Sequence, residues 1–211
     1  MSNLRVGAII PVKTFSRAKS RLTLPPEKKE TICRIMLESV LGTVTRSEVI
    51  EKTVIVSKDE AALGMGKRFG ATGIYDGEEL GVNHAVRLAD DHLKGEGFDL
   101  TIVFPQDIPL IQGSDIQSLL SFRMPGRFVL VVPSRKFDGT NALVRRPVDV
   151  METHYDEDSY KIHLENAERK GAHSALILIQ RVMLDVDDEA DLNIIKGYDL
   201  QVSKSIRDAL V

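Results

Sequence analysis

At 211 residues and 43% apolar content the chain can bury a large core and sits near the upper end of what one domain holds, so a single domain over residues 1–211 is expected. Its 28 lysines and arginines against 31 acids leave a net charge of −3, too weak a field to recruit nucleic acid or an acidic membrane, which points to a small-molecule partner. The one cysteine, Cys33, excludes an internal disulfide and a cysteine zinc cage.

The first predicted element is a strand over Arg5–Val12, with no basic leader or cleavage site before it. The longest apolar runs, GAIIPV and SALILI, fall far short of the ~18 residues of a membrane span. A cytoplasmic protein is expected. The loop that follows, in IIPVKTFSRAKSRLTLP, delivers Lys13, Arg17, Lys19 and Arg21 within nine residues of chain. Four cations at one strand end can neutralise a triphosphate and a departing diphosphate, although a solvated basic loop would have the same composition. The loop has neither the GKS/T of a P-loop nor the GxGxxG of a dinucleotide fold, so side chains rather than a close backbone must do the binding.

A helix is predicted over Pro26–Thr45 from the three-to-four spacing of Ile32, Ile35, Met36, Val40 and Leu41, with Cys33 packed inside it. A strand over Lys52–Ser57, a helix over Asp59–Phe69 capped by Asp59, and a strand over Thr72–Tyr75 come next. GEELGVNHAV then opens a helix over Gly81–Leu93, offering Gly81 for close approach and Asn83 as a paired donor and acceptor for a ribose or base.

The strand Leu100–Phe104 stops on Asp107, which Pro105 and Pro109 bracket in PQDIPL. Two fixed φ angles reduce the entropy lost when such a loop orders around an ion, which suits a metal ligand, while a turn or cap aspartate would also fit. A helix over Ser114–Phe122 is expected to be capped by Ser114. Strict alternation then ends. Strands Arg127–Pro133 and Ala142–Val144, joined by the turn Phe137-Asp138-Gly139, make part of the sheet antiparallel.

DGTNALV and YDEDSYKIH place Thr140, Asn141 and Ser159 in turns or at helix starts where a phosphate can be held, as ordinary turn chemistry also would. His163, on the helix Asp158–Lys170 that Asp158 should cap, reads as a packed or surface histidine. After the strand Ser174–Ile179 comes RVMLDVDDEADL. With Val182, Leu184 and Val186 inward, Asp185 and Asp187 share the opposite face, and Asp188 caps the next helix. Two carboxylates on one face repel unless a cation or protons intervene.

Together these elements predict a three-layer α/β/α fold with a mixed, mostly parallel sheet. Ligands in such folds sit beyond the carboxyl ends of the strands, where Asp107 and the basic loop fall. Asp107, Asp185 and Asp187 offer the hard oxygens that magnesium takes beside phosphates.

The opening IIPVKTFSRAKSRL, the central PQDIPL, the GTNAL turn and the late LDVDDEADL, in that order, resemble the guanylyltransferases that activate 2-phospho-L-lactate or phosphoenolpyruvate in making coenzyme F-420. That resemblance covers nearly the whole chain and implies a nucleotidyltransferase fold. It also implies that Asp107, Asp185 and Asp187 hold magnesium, expected as two ions, and that the loop from Pro11 through Lys13 and Arg17, with Gly81 and Asn83, receives GTP. Lys19 and Arg21, with Asp107, would act on the reacting phosphates, and the phosphorylated three-carbon acid would sit on Thr140, Asn141, Asp156 and Ser159. The chain departs from the family pattern at Tyr155-Asp156-Glu157-Asp158-Ser159, where a glycine commonly precedes the serine. Alternatives are a molybdopterin or sugar-phosphate nucleotidyltransferase, a non-catalytic nucleotide-binding module, and a glycosyltransferase, which would carry acid-x-acid where PQDIPL has one acid. A homodimer contact is expected in Arg123–His154.

Overall fold

Seven short segments, apolar at the centre and more polar at the two edges, pair into one sheet in the computed structural model of the protein, which describes residues 4–211. Residues 1–3, on which the leaderless start was read, lie outside the described residues. The strands are β1 (Val6–Val12), β2 (Lys52–Ser57), β3 (Thr72–Tyr75), β4 (Leu100–Val103), β5 (Phe128–Pro133), β6 (Thr140–Arg146) and β7 (His173–Leu176), in the spatial order β3-β2-β1-β4-β6-β5-β7. The pairs β1–β2, β2–β3, β1–β4 and β5–β7 are parallel, and β6 runs antiparallel to both its neighbours.

Period-two alternation sends successive side chains to two separate cores. Ala8, Ile10, Ile55, Ile102, Leu130 and Val144 face one core, and Ile9, Val54, Val56, Val103, Val129 and Leu143 face the other. Over the first core lie α1 (Pro26–Val44), α2 (Glu60–Arg68), α4 (Gly113–Ser121), α6 (Glu189–Lys196) and α7 (Gln201–Leu210); over the second lie α3 (Val82–Gly95) and α5 (Ser159–Arg169). This is the three-layer arrangement expected. Burying each large aliphatic side chain contributes about 1.5–3 kcal/mol, which makes the two cores the main source of stability.

Several local expectations change. Gln112, not Ser114, caps α4, because Gln112 and Asp115 form a reciprocal capping box. Asp158 does occupy the cap position of α5, but at φ 57° its carboxylate makes no cap hydrogen bond. Asp59 and Asp188 cap α2 and α6 through their side chains, as expected. Thr140 and Asn141 are the first residues of β6 rather than turn residues, because Pro133 of β5 pairs with Thr140 and extends the ladder. Within Arg123–His154 the strands β5 and β6 are interior, with Val129–Val132 and Ala142–Arg145 buried, while Arg123–Arg127 and Arg135–Gly139 lie at the surface. Among the described residues no helix is long and apolar enough to cross a membrane.

Candidate active site

The chain leaves β1 toward β2 and β3 on one side, then returns through β4 on the other. A crevice therefore opens at the ends of β1 and β4, the switch point of the sheet. A cavity of about 670 Å3 fills it. Among its lining are Pro11, Lys13, Arg17, Lys19, Arg21, Gly81, Asp107, Thr140 and Asp187 of the residues expected from sequence.

Acids from four other segments hold the basic loop in place. Glu79 accepts from the Thr14 backbone N–H at 2.8 Å and from Arg17 at 3.2 Å. Hydrogen bonding from Thr14, then the charge of Arg17, keeps the Glu79 carboxyl below its ordinary range. Asp59 accepts from the Phe15 N–H at 3.1 Å with one oxygen and caps α2 with the other. Lys19, in the left-handed region at φ 56°, hydrogen-bonds Asp107 and lies 2.8 Å from Asp187 Oδ1. Its side chain is only 6% exposed, and although burial pushes its pKa down, Asp107 and Asp187 outweigh that and hold it above the usual lysine value. Lys13, Arg17 and Arg21 stay exposed along the rim, and Lys13 and Arg21 form no ion pair among the described residues.

The late acidic segment is stitched to the same place. Val186 N–H donates to Asp107 O at 3.0 Å, and Val182, Leu184 and Val186 are buried, so Asp185 and Asp187 emerge together on the other face. Asn141 donates from Nδ2 to Val182 O and to Asp185 Oδ1, both at 3.0 Å. Burial, then the charge of Asp107, pushes Asp185 up to about 6 against that hydrogen bond. The donor set of Asp107, Asp185 and Asp187 is all carboxylate oxygen, the chemistry of a hard divalent cation, and a cation, the Lys19 ammonium, already lies between two of them. Among the described residues no group of three or more His, Cys, Asp or Glu side chains is drawn together at metal-ligand spacing.

At the far wall Thr140 Oγ1 takes a hydrogen bond from Ser159 Oγ at 3.1 Å and contacts His163 Nδ1 at 3.0 Å. Gly81, at φ 101°, is the N-cap of α3, and with Val82 and Ala85 it presents the start of that 14-residue helix to the cavity, an arrangement that favours anions.

Not every expected residue lines the cavity. Asn83 turns away, about 100° per residue around the helix, and accepts from the Tyr155 N–H at 2.8 Å beside a separate cavity. Asp156 is exposed, with His154 Nε2 3.6 Å from its carboxylate. Asn141, Ser159 and Asp185 stand one layer behind the wall. Sequence reasoning missed Glu79, Asp76 and Tyr155, which line the cavity, and read Asp59 only as a helix cap. Only the two acids of GEEL, opposite a basic loop, carried a readable signal.

The family model described as "Guanylyl transferase CofC like" matches residues 6–208. A phosphoenolpyruvate guanylyltransferase of Sphaerobacter thermophilus is 30% identical over 90% of this chain and 92% of its own. A 2-phospho-L-lactate guanylyltransferase of Methanothermobacter thermautotrophicus is 31% identical over 90% of this chain and 83% of its own. In fold, the chain is similar to a Desulfovibrio desulfuricans G20 protein provisionally assigned as a nucleotide-diphospho-sugar transferase, with TM-score 0.76 and 17% identity over 99% of this chain and 95% of that one.

Proposed function

The chain belongs to the CofC-like guanylyl transferase family, and from that premise we propose that it transfers GMP from GTP to a phosphorylated three-carbon acid, phosphoenolpyruvate or 2-phospho-L-lactate, with release of pyrophosphate. The observation that carries this reading is the contact of Lys19 with both Asp107 and Asp187 in the crevice at the ends of β1 and β4. Cations from one loop and carboxylates from two others meet where a triphosphate would lie.

In this reading an oxygen of the acceptor phosphate attacks the α-phosphorus of GTP in line. The new oxygen–phosphorus bond forms as the bond from the α-phosphorus to its bridging oxygen breaks, and the electron pair leaves with pyrophosphate. No side-chain nucleophile is required, because the acceptor phosphate is largely ionised near neutral pH. What the protein supplies is position and opposite charge. Lys13, Arg17 and Arg21 line the route of the triphosphate, and the N-terminus of α3 faces it. Magnesium held by Asp107 and Asp187, with Asp185 behind them, would screen the phosphates when bound. Thr140 and Ser159 would receive the acceptor. Coenzyme F-420 biosynthesis is the pathway this activity would serve.

The test is a panel of four nucleoside triphosphates against phosphoenolpyruvate, 2-phospho-L-lactate and 3-phosphoglycerate, read as pyrophosphate release. GTP with one of the first two acceptors should give turnover far above every other pairing. Equal use of all four nucleotides, or turnover only with 3-phosphoglycerate, would reject the reading.

A further inference from the structure

His163 does more than fill space. It is fully buried on α5, its ring edge-on to Tyr155 with centroids 5.0 Å apart, and both of its nitrogens have partners. Nε2 lies 2.9 Å from the His154 backbone nitrogen, whose N–H can only donate, so Nε2 must accept and carries no proton. The proton of the neutral ring is therefore on Nδ1, and the 3.0 Å contact with Thr140 is a hydrogen bond from Nδ1–H to Oγ1. Burial first, and then the nearby Arg145, lower the ring's pKa to about 3, in keeping with a neutral imidazole.

With the Ser159 O–H turned toward it at 3.1 Å, Thr140 Oγ1 accepts two hydrogen bonds, the other from His163 Nδ1–H. A hydroxyl oxygen has two lone pairs, and both are now used. The only group Thr140 can still offer is its own O–H, and Thr140 lines the cavity. Resting on the reading given under Proposed function, we propose that His163 is a positioning residue that sets the Thr140 hydroxyl as a pure donor into the cleft, so that this wall selects an unprotonated phosphate or carboxylate oxygen of the acceptor. A ligand ammonium, which can only donate, would find no lone pair there, and a ligand hydroxyl could meet Thr140 only as an acceptor. His163 itself touches no substrate.

Two measurements test this. Long-range 15N–1H NMR of histidine-labelled protein should show His163 neutral with the proton on Nδ1 between about pH 5 and 8. A signal from the Nε2–H tautomer, or from a doubly protonated ring, would overturn the proposal whatever the enzyme's substrate. Kinetically, His163→Phe keeps the ring against Tyr155 but loses the donor. It should raise KM for phosphoenolpyruvate roughly 10-fold or more while leaving KM for GTP within about 2-fold. His163→Asn, whose amide can donate in place of Nδ1, should recover most of the loss. Thr140→Val should match His163→Phe, and the double variant should be no worse than Thr140→Val. Additive losses, or equal rises in both KM values, would show a merely structural role. Wild-type protein that turns over GTP with no phosphorylated three-carbon acid would reject the functional reading alone, and the NMR spectrum would then decide the role of His163.

Discussion

Lys19 Nζ lies 2.8 Å from Asp187 Oδ1, joining side chains 168 positions apart in the chain, and the same ammonium hydrogen-bonds Asp107. One cation thereby ties the loop after β1 to the loop after β4 and to the segment before α6. Two carboxylates about 4 Å apart repel by about 4 kcal/mol at the effective dielectric of a protein surface, so a cation between them sets their spacing as well as their charge.

Removing that ammonium leaves the acids unscreened and takes a cation from the path of the triphosphate. For Lys19→Ala, kcat/KM for GTP should fall about 100-fold, the usual scale for losing one charged stabilising group in a preorganised site. Steady-state rates with GTP varied at saturating acceptor would measure it. A value equal to wild type would move Lys19 out of the site and make it a structural tie.

Asp107→Asn separates charge from shape. The backbone carbonyl of residue 107 still accepts from the Val186 N–H, so the loop keeps its anchor to the acidic segment. Turnover should drop at least about 100-fold while the thermal transition stays in place. Chelation with EDTA should abolish wild-type turnover and added magnesium restore it, whereas no magnesium concentration should rescue the variant. Wild-type rates across the same titration would remove Asp107 from metal binding.

How much of this was legible in the sequence depends on the range of the interaction. The strands and most helices follow from local periodicity, and PQDIPL placed Asp107 at the crevice because a strand's end is a local property. The pairing of Asp185 with Asp187 on one face also follows from period two. Asn83 went wrong for a helical reason: two residues past Gly81, rotation about the axis carries it to the Tyr155 N–H instead of the cavity. The clamps from Glu79 and Asp59 onto the Thr14 and Phe15 N–H groups are contacts 65 and 44 residues apart, and no window of sequence contains both ends. Helix α7 went unread, although Val202, Ile206 and Leu210 repeat every four residues, because the segment QVSKSIRDAL is otherwise polar. His163, read as packed or surface, is packed, and its hydrogen bonds through both nitrogens became visible only once β6 and α5 were brought together.

Gly81 is required by its backbone and not by crowding. Its φ is 101°, and a Cβ built there meets nothing within 4 Å. Gly81→Ala should therefore cost about 1–2 kcal/mol through strain alone, and the N-terminus of α3 should relax away from the cavity to relieve it. The expected result is a several-fold rise in KM for GTP with little change in KM for the acceptor, measured on the same preparation as its thermal transition. An unchanged KM for GTP would dissociate the helix start from the nucleotide.

The deepest charge in the fold makes the last prediction one of stability. Arg145 is 1% exposed, donates to both oxygens of Asp90 at 2.7 and 2.6 Å, and reaches Thr101 Oγ1 at 3.1 Å. The pair joins α3 to β6, with the guanidinium inside the second core and the Asp90 carboxylate 16% exposed at its edge. Asp90→Asn keeps the shape but leaves the guanidinium without its counter-charge, which should cost about 3–5 kcal/mol. For a chain of this size that is roughly 6–20 °C in Tm. Replacing both partners at once, with Asp90→Leu and Arg145→Met, removes the stranded charge as well as the ion pair. The double variant should melt above Asp90→Asn, because a buried pair is costly mainly when half of it remains. Thermal melts of the two variants beside wild type decide the point. A double variant that melts below Asp90→Asn would mean that the pair itself, and not the avoidance of an unpaired charge, holds α3 to the sheet.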